Sequence, residues 1–310
     1  MELGLFVEPQ CGGSYERLIE LARWAEATGF AAFARSDHYL DGEDSNDATD
    51  ALVSFGGLAR ETSKIRLVSL VSPITFRHPA VLAKSAATID EMSGGRFTLG
   101  VGAGWMRSEH EAFGVDLPPI EERFDRLEEA LAVIAAITSG GGSVPGTHHS
   151  LDITRVHPRV SDGFAIVIGG AGRRRTPQLA GRYADEYNLF VTERHNLDER
   201  VETMRTAAVA ASRDPDAILV SFAGPVLIHE SEREHAEALE TRGARRGISA
   251  TDYRDLLDAR GVPHGTPEMA RAVIDRLMSW GIGRYYIQEY RPLDAIDLDR
   301  MRLVFEAIGT

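Results

Sequence analysis

A (β/α)8 barrel is the fold class this sequence predicts, and two observations carry it. Eight short apolar runs, each followed by a stretch of helical periodicity, extend from one end of the chain to the other. No composition break, linker or internal repeat divides them, although 310 residues alone would also suit two smaller domains. A doubly wound open sheet uses the same alternation and stands as the runner-up. The reading is one domain over 1–310, with insertions at 139–163 and about 230–265.

Each element has its own signal. Residues 3–7 (LGLFV) read as a buried strand, after which Ser14 caps a helix with Tyr15, Leu18, Ile19, Ala22 and Ala25 on one face. Gly29 stops that helix, and a second strand covers about 30–34. The stretch from Asp50 to Glu61 is helical, and residues 65–71 (IRLVSLV) form a third strand. Pro79 opens a helix to about Met92, stopped by Ser-Gly-Gly, and the fourth strand, RFTLGV, runs into a glycine-rich turn. A helix follows from about Glu121 to Thr138, and residues 139–163 look like a long connection rich in Gly, Ser, Pro and His. Strand five is FAIVI (164–168), with GGAG and a helix to Tyr183 behind it. Strand six lies near 186–191, its helix near 196–212, and strand seven near 217–228. A charged helical stretch and a helix from Thr266-Pro267 to Trp280 lead to RYYIQEY as the eighth strand, with a last helix at 296–308.

Composition narrows the function. The apolar share of 43% and charged share of 26% favour neither disorder nor a membrane protein. A net charge of −13 repels phosphate backbones, which excludes a general nucleic-acid binder. Cys11 is the one cysteine, so the chain has no internal disulfide and no cysteine-based metal site. MELGLFVEP lacks the pattern of a secretory signal and no run is long enough to span a membrane, so a soluble, cytoplasmic protein is expected.

In a (β/α)8 barrel the active site forms where strands end and loops to helices begin. Strand two ends in Arg35-Ser36-Asp37-His38-Tyr39, and a His beside an acid there suits general acid–base work near neutral pH. A loop with Asp37 capping a turn and His38 merely polar balances that reading. Strand three continues through Leu70, Val71 and Ser72 to Arg77 and His78, and on composition these are core strand and ordinary loop. Strand four gives Gly100-Val101-Gly102-Ala103-Gly104-Trp105, where glycines let backbone approach a flat ring or a phosphate, or simply make a tight turn. It is no dinucleotide fingerprint, because Trp105 stands where a third glycine belongs.

Strand five gives Gly169-Gly170-Ala171-Gly172 and then Arg173, Arg174 and Arg175 at a helix start. Arginines there oppose the helix dipole, so they need another reason, and an anion such as phosphate supplies one, with a solvated turn as the alternative. Other chemistries fail on spacing. His148, His149 and His157 have no carboxylates at ligand spacing, and neither a nucleophile elbow nor a P-loop occurs. His110 reads as a solvated helix-edge residue, and Glu128-Glu129 as a surface pair.

Taken together, SDHYL, LVSLVSPITFRHPAVLAKSAATIDEMSGGRFTLGVGAGW, FGVDLPPIEERFDRLEEAL, IGGAGRRRTPQLAGRYADEYNLF and GTPEMARAVI resemble the luciferase-like monooxygenase family. More narrowly they resemble its actinobacterial branch, which uses the deazaflavin coenzyme F420. The match covers most of 1–190 and resumes at 265–290. It implies a (β/α)8 barrel, and a non-proline cis peptide between Leu70 and Val71 backing the coenzyme ring. It implies Asp37 and His38 at the pocket, with His38 donating or accepting the proton. It places Gly102, Ala103 and Gly104 beside the coenzyme, Gly169, Gly170, Ala171, Gly172 and Arg173 at its phosphate tail, and Glu109 at the coenzyme or as a helix cap. Members that oxidise sugar phosphates carry a glutamate where this chain has Trp105, which implies an aromatic-walled pocket for a small, apolar substrate instead. The resemblance also implies a homodimer. Hydride transfer with F420 leads. An FMN-dependent monooxygenase served by a separate reductase, and a non-catalytic coenzyme-binding barrel, are the alternatives.

Overall fold

The computed structural model describes residues 1–40 and 48–309. Eight parallel strands close into a barrel: Glu2–Val7, Ala32–Arg35, Arg66–Ser69, Phe97–Gly102, Ala165–Gly169, Glu186–Phe190, Leu219–Gly224 and Arg284–Glu289. Each pairs with the next in sequence, and the eighth returns to the first with Glu2 opposite Arg284 and Val7 opposite Glu289. Strand three breaks after Ser69 and resumes at Ser72–Pro73, opposite Val101 and Gly102 of strand four. The peptide between Leu70 and Val71, in that break, is cis, as the resemblance implied.

Several helices begin and end at capping residues. Ser14 accepts the Arg17 N–H at the start of α1 (Tyr15–Thr28), and Gly29 ends it with φ of 102°, a left-handed conformation that a side chain would resist. Asp50 caps α2 (Ala51–Glu61), and Pro79 opens α3 (Pro79–Ser93). Next come α4 (Arg107–Ala112), α5 (Ile120–Thr138), α6 (Arg175–Tyr183), α7 (Arg194–Ala210), α8 (Glu232–Arg245), α9 (Ala250–Arg260), α10 (Pro267–Ser279) and α11 (Leu298–Ile308). Among the described residues no helix is long and apolar enough to cross a membrane.

Strand alternation sorts the core into two layers. On strand eight Tyr285 and Ile287 join the large cluster beneath the helices, while Tyr286 joins a smaller one inside the barrel with Phe6, Ala34, Val68, Leu70 and Val167. Arg284 and Gln288 therefore also face inward, at opposite ends of that strand. At the N-terminal end Arg284 is buried against Glu186 and Glu2, which plugs the barrel.

The two insertions differ from their expected form. Within 139–163, Gly142–Val144 and Leu151–Ile153 form an antiparallel hairpin. Glu129, expected to be a surface residue, holds its turn by accepting the N–H groups of Thr147, His148 and His149. Strand seven stops at Gly224 rather than reaching 228, because Pro225 has no N–H to continue a ladder. Leu227–Ile228 pairs instead with His264–Gly265, beside a separate small core of Leu227, Leu239, Tyr253, Leu257 and Val262.

Candidate active site

His38 follows strand two at the C-terminal mouth of the barrel, and the structure brings it to Glu109 on α4. Its Nδ1 lies 3.0 Å from Glu109 Oε2, while Glu109 Oε1 accepts the backbone N–H groups of Tyr39 and Leu40. A carboxylate has no proton to give, so Nδ1 carries the hydrogen and Nε2 has no partner among the described residues. Burial disfavours the imidazolium. The hydrogen bond and charge of Glu109, with Glu8 and Asp37 beyond, outweigh burial and raise the His38 pKa above 6.5. Glu109 is only 1% exposed, so it serves His38 and its loop rather than open space. The exposed Trp105 ring meets the imidazole edge-on, with centroids 5.6 Å apart.

Asp37 is turned away from the mouth. Both its oxygens receive the Arg77 guanidinium, at 2.5 and 3.1 Å. The same guanidinium donates to the Tyr39 hydroxyl at 2.7 Å and to Asp50 at 2.5 Å, tying strand two, the loop after strand three and the start of α2 into one knot. Here Asp37 positions the loop that carries His38. Arg77, taken from composition as an ordinary loop residue, is the centre of this knot. A buried acid at a strand end needs a cation, and that need was the available signal. Arg35, fully buried below, donates to Thr49, Ser54 and the Ser36 carbonyl, and burial pushes its pKa down to about 10.

The glycines of strands four and five have a local reason. A Cβ at Gly102 would come 2.8 Å from Val71 Cγ2, and one at Gly169 would come 3.0 Å from Val71 Cγ1. The half-buried Val71 side chain thus fills the groove that these glycines leave. Gly104 has φ of +77° and turns the chain toward Trp105, with Ala103 half-buried between.

The three arginines after strand five divide. Arg175 pairs with Asp125 at 2.7 Å and Glu128 at 3.6 Å and lies over the Phe124 ring, so it fastens α6 to α5. Arg173 and Arg174 are exposed, and Arg173 donates to Asn196 Oδ1 at 3.3 Å. Among the described residues no side chain caps the start of α6, so its first N–H groups and the turn from Gly170 through Ala171 and Gly172 could receive an anion. His110, expected to be solvated, is 1% exposed, with Nδ1 donating to the Met106 carbonyl and Nε2 accepting from Thr75. Among the described residues no group of side chains is placed to hold a metal ion.

The opposite wall of the mouth carries a polar cluster that sequence reasoning missed. Glu8 accepts Gln10 Nε2 at 2.6 Å and Gln288 Nε2 at 2.5 Å, and Ser36 donates to Gln10 Oε1 at 2.8 Å. All four are buried. Polar residues at alternate positions of RYYIQEY were the signal that could have found Gln288.

A closed barrel with a histidine–carboxylate pair, an uncapped helix start and a polar wall gathered at its C-terminal mouth defines the class. The chain belongs to the luciferase-like monooxygenase family, whose model matches residues 1–283. The F420-dependent glucose-6-phosphate dehydrogenase of Microbacterium testaceum is 35% identical over 173 residues, 55% of this chain and 51% of that one, so that match spans about half of the relative's length. Its counterpart by name from Kineococcus radiotolerans is 32% identical over 311 residues, covering 94% of this chain and 87% of the relative. The 4-hydroxyprotoasukamycin monooxygenase of Streptomyces nodosus subsp. asukaensis is 30% identical over 176 residues, 56% and 46% of the two chains. An F420-dependent secondary alcohol dehydrogenase, solved with an F420–acetone adduct, shares the fold at a TM-score of 0.81 with 19% identity over 99% of this chain and 97% of that one.

Proposed function

We propose that this chain is an oxidoreductase that transfers hydride between the deazaflavin coenzyme F420 and a small, largely apolar organic substrate. The observation that carries the reading is His38, held at Nδ1 by buried Glu109 with Nε2 left for a ligand at the mouth. The names of the Microbacterium and Kineococcus relatives support the coenzyme. When bound, the deazaflavin supplies a ring carbon that gives or takes hydride.

The residues present fit such a group. Arg173, Arg174 and the uncapped start of α6 would hold its phosphate and acidic tail, and the Leu70-Val71 bulge with Gly102, Ala103 and Gly104 would border its ring. His38 Nε2 gives or takes the proton that accompanies hydride at the substrate oxygen, and Glu109 keeps the ring in the required tautomer. Trp105, Phe190 and Tyr290 are exposed aromatic side chains at the ends of strands four, six and eight, and they would form an apolar rim for the substrate.

The monooxygenase relative favours a second reading, with FMN as the coenzyme. Titration of the purified chain with F420, FMN and FAD decides between them: tighter F420 binding is expected, and equal or tighter FMN binding overturns the proposal. We also propose a homodimer through α2 and α3, on which Val53 is 78% exposed and Val81 59% exposed. Sedimentation of the Val53→Glu, Val81→Glu variant tests it, and an unchanged dimer or a monomeric parent rejects that surface.

A further inference from the structure

The closed strand order sets two walls of the mouth against each other. Strands three, four and five carry the Leu70-Val71 bulge and the glycine turns, and strands eight and one, on the far side, carry Gln288 and Glu8. Glu8 accepts both neighbouring amides, which fixes them: a planar amide whose N–H faces a carboxylate turns its carbonyl the other way. The carbonyl of Gln10 receives the Ser36 hydroxyl. The carbonyl of Gln288, buried on the inner face one residue from the end of its strand, has no hydrogen-bond partner among the described residues.

Buried acceptors are rarely left unpaired, so this oxygen calls for a donor. We propose that Gln288 is a specificity-determining residue: its side-chain carbonyl receives an O–H or N–H of the substrate, and Glu8 is the positioning residue that fixes the amide. The inference rests on the coenzyme reading only for which wall faces the substrate. What Gln288 offers at its unpaired atom is an acceptor, with the Glu8 carboxylate behind the amide. It therefore favours a neutral hydroxyl or amide, or a protonated amine, and repels phosphate and carboxylate groups. A sugar phosphate presented to this wall by its charged end is disfavoured. A hydroxylated apolar molecule suits both the wall and the aromatic rim.

The experiment compares binding of four probes of one size to the full chain by ligand-observed NMR: cyclohexanol, cyclohexylammonium, methoxycyclohexane and cyclohexanecarboxylate. The alcohol and the ammonium ion are expected to bind about tenfold tighter than the ether, and the carboxylate weakest. Gln288→Met is expected to erase the preference for alcohol over ether while leaving ether affinity unchanged, and Glu8→Gln to reduce it by freeing the amide to turn. Gln288→Leu, which also removes the amide, serves if the methionine variant does not fold, with a melting curve as the check. Equal binding of alcohol and ether by the parent, or a preference that survives loss of the Gln288 amide, overturns the proposal. Each titration is run with and without F420. Failure of F420 to bind beside an intact donor preference rejects the coenzyme reading and leaves this one standing.

Discussion

His38 Nδ1 lies 3.0 Å from Glu109 Oε2 across 71 positions of sequence, joining the end of strand two to α4. The contact assigns the imidazole proton to Nδ1 and leaves Nε2 as the ring nitrogen able to exchange a proton with a ligand. His38→Ala is therefore expected to slow single-turnover hydride transfer by about 10²–10⁴-fold at saturating coenzyme. Coenzyme affinity should hardly change, while the melting temperature falls somewhat because buried Glu109 loses its partner. A folded variant that transfers hydride within about threefold of the parent removes the proton-transfer role assigned through Nε2.

Glu109→Gln tests the support of that ring. The glutamine still accepts from Nδ1 but removes the charge, so the His38 pKa, raised in the parent, is expected to fall. A folded-state pKa above the ordinary value means the pair's stabilisation is fully present below about pH 6.5. It is lost as pH rises through the folded value. Ring-resonance titration by NMR reads the shift directly, and an unchanged midpoint shows that Glu109 does not set it.

The sequence treats Arg173, Arg174 and Arg175 alike, but the structure separates them. Replacing Arg173 and Arg174 together with alanine is expected to weaken F420 binding by about tenfold or more, most at low salt. Arg175→Ala should leave affinity nearly intact and lower stability slightly, since its partners are the half-exposed Asp125 and Glu128. Equal loss of affinity in both variants contradicts the division.

Arg77→Met should be the most damaging change at the mouth that touches no ligand. It strands Asp37, 1% exposed, beside Asp50, and breaking such a buried pair costs about 3 kcal/mol. Chemical denaturation measures the loss, and a cost below about 1 kcal/mol places the knot among surface ion pairs.

The barrel was legible because its strands are largely apolar runs and several helices carry readable caps, Ser14 and Gly29 of α1 being a complete pair. Asp37 and His38 were legible by position at a strand end. Their partners were not. Arg77 and Glu109 lie far off in sequence and act by closing a charge or orienting a ring, which no local spacing encodes. Gln288 was legible only through the alternation of Arg284, Tyr286 and Gln288 along strand eight, and the closed barrel is what turns that face inward. The expected end of strand seven was wrong for a readable reason, since Pro225 was already in view.

The small core of the second insertion should make the whole chain acid-sensitive. His235 is 4% exposed, and His264 Nδ1 lies 3.2 Å from His235 Nε2 with the rings stacked at 5.2 Å. One nitrogen must donate and the other accept, so the contact is lost when both rings are charged. Burial first, then the charges of His264, His229 and Arg254, push the His235 pKa down to about 4, against a weaker opposing pull from Asp258. His229 and His264 are lowered as well. A histidine depressed in the folded state binds fewer protons than in the unfolded chain between about pH 4 and 6.5, so stability falls on acidification through that window. Taking His235 alone, the loss from pH 7 to pH 5 is about 2 kcal/mol. For a chain of this length that is about 3 °C of melting temperature. His235→Leu should melt lower at pH 7, because His264 loses its partner, yet show a shallower decline toward pH 5. Melting curves of parent and variant across pH 5–8 provide the comparison, and parallel declines would remove His235 as the source of the acid sensitivity.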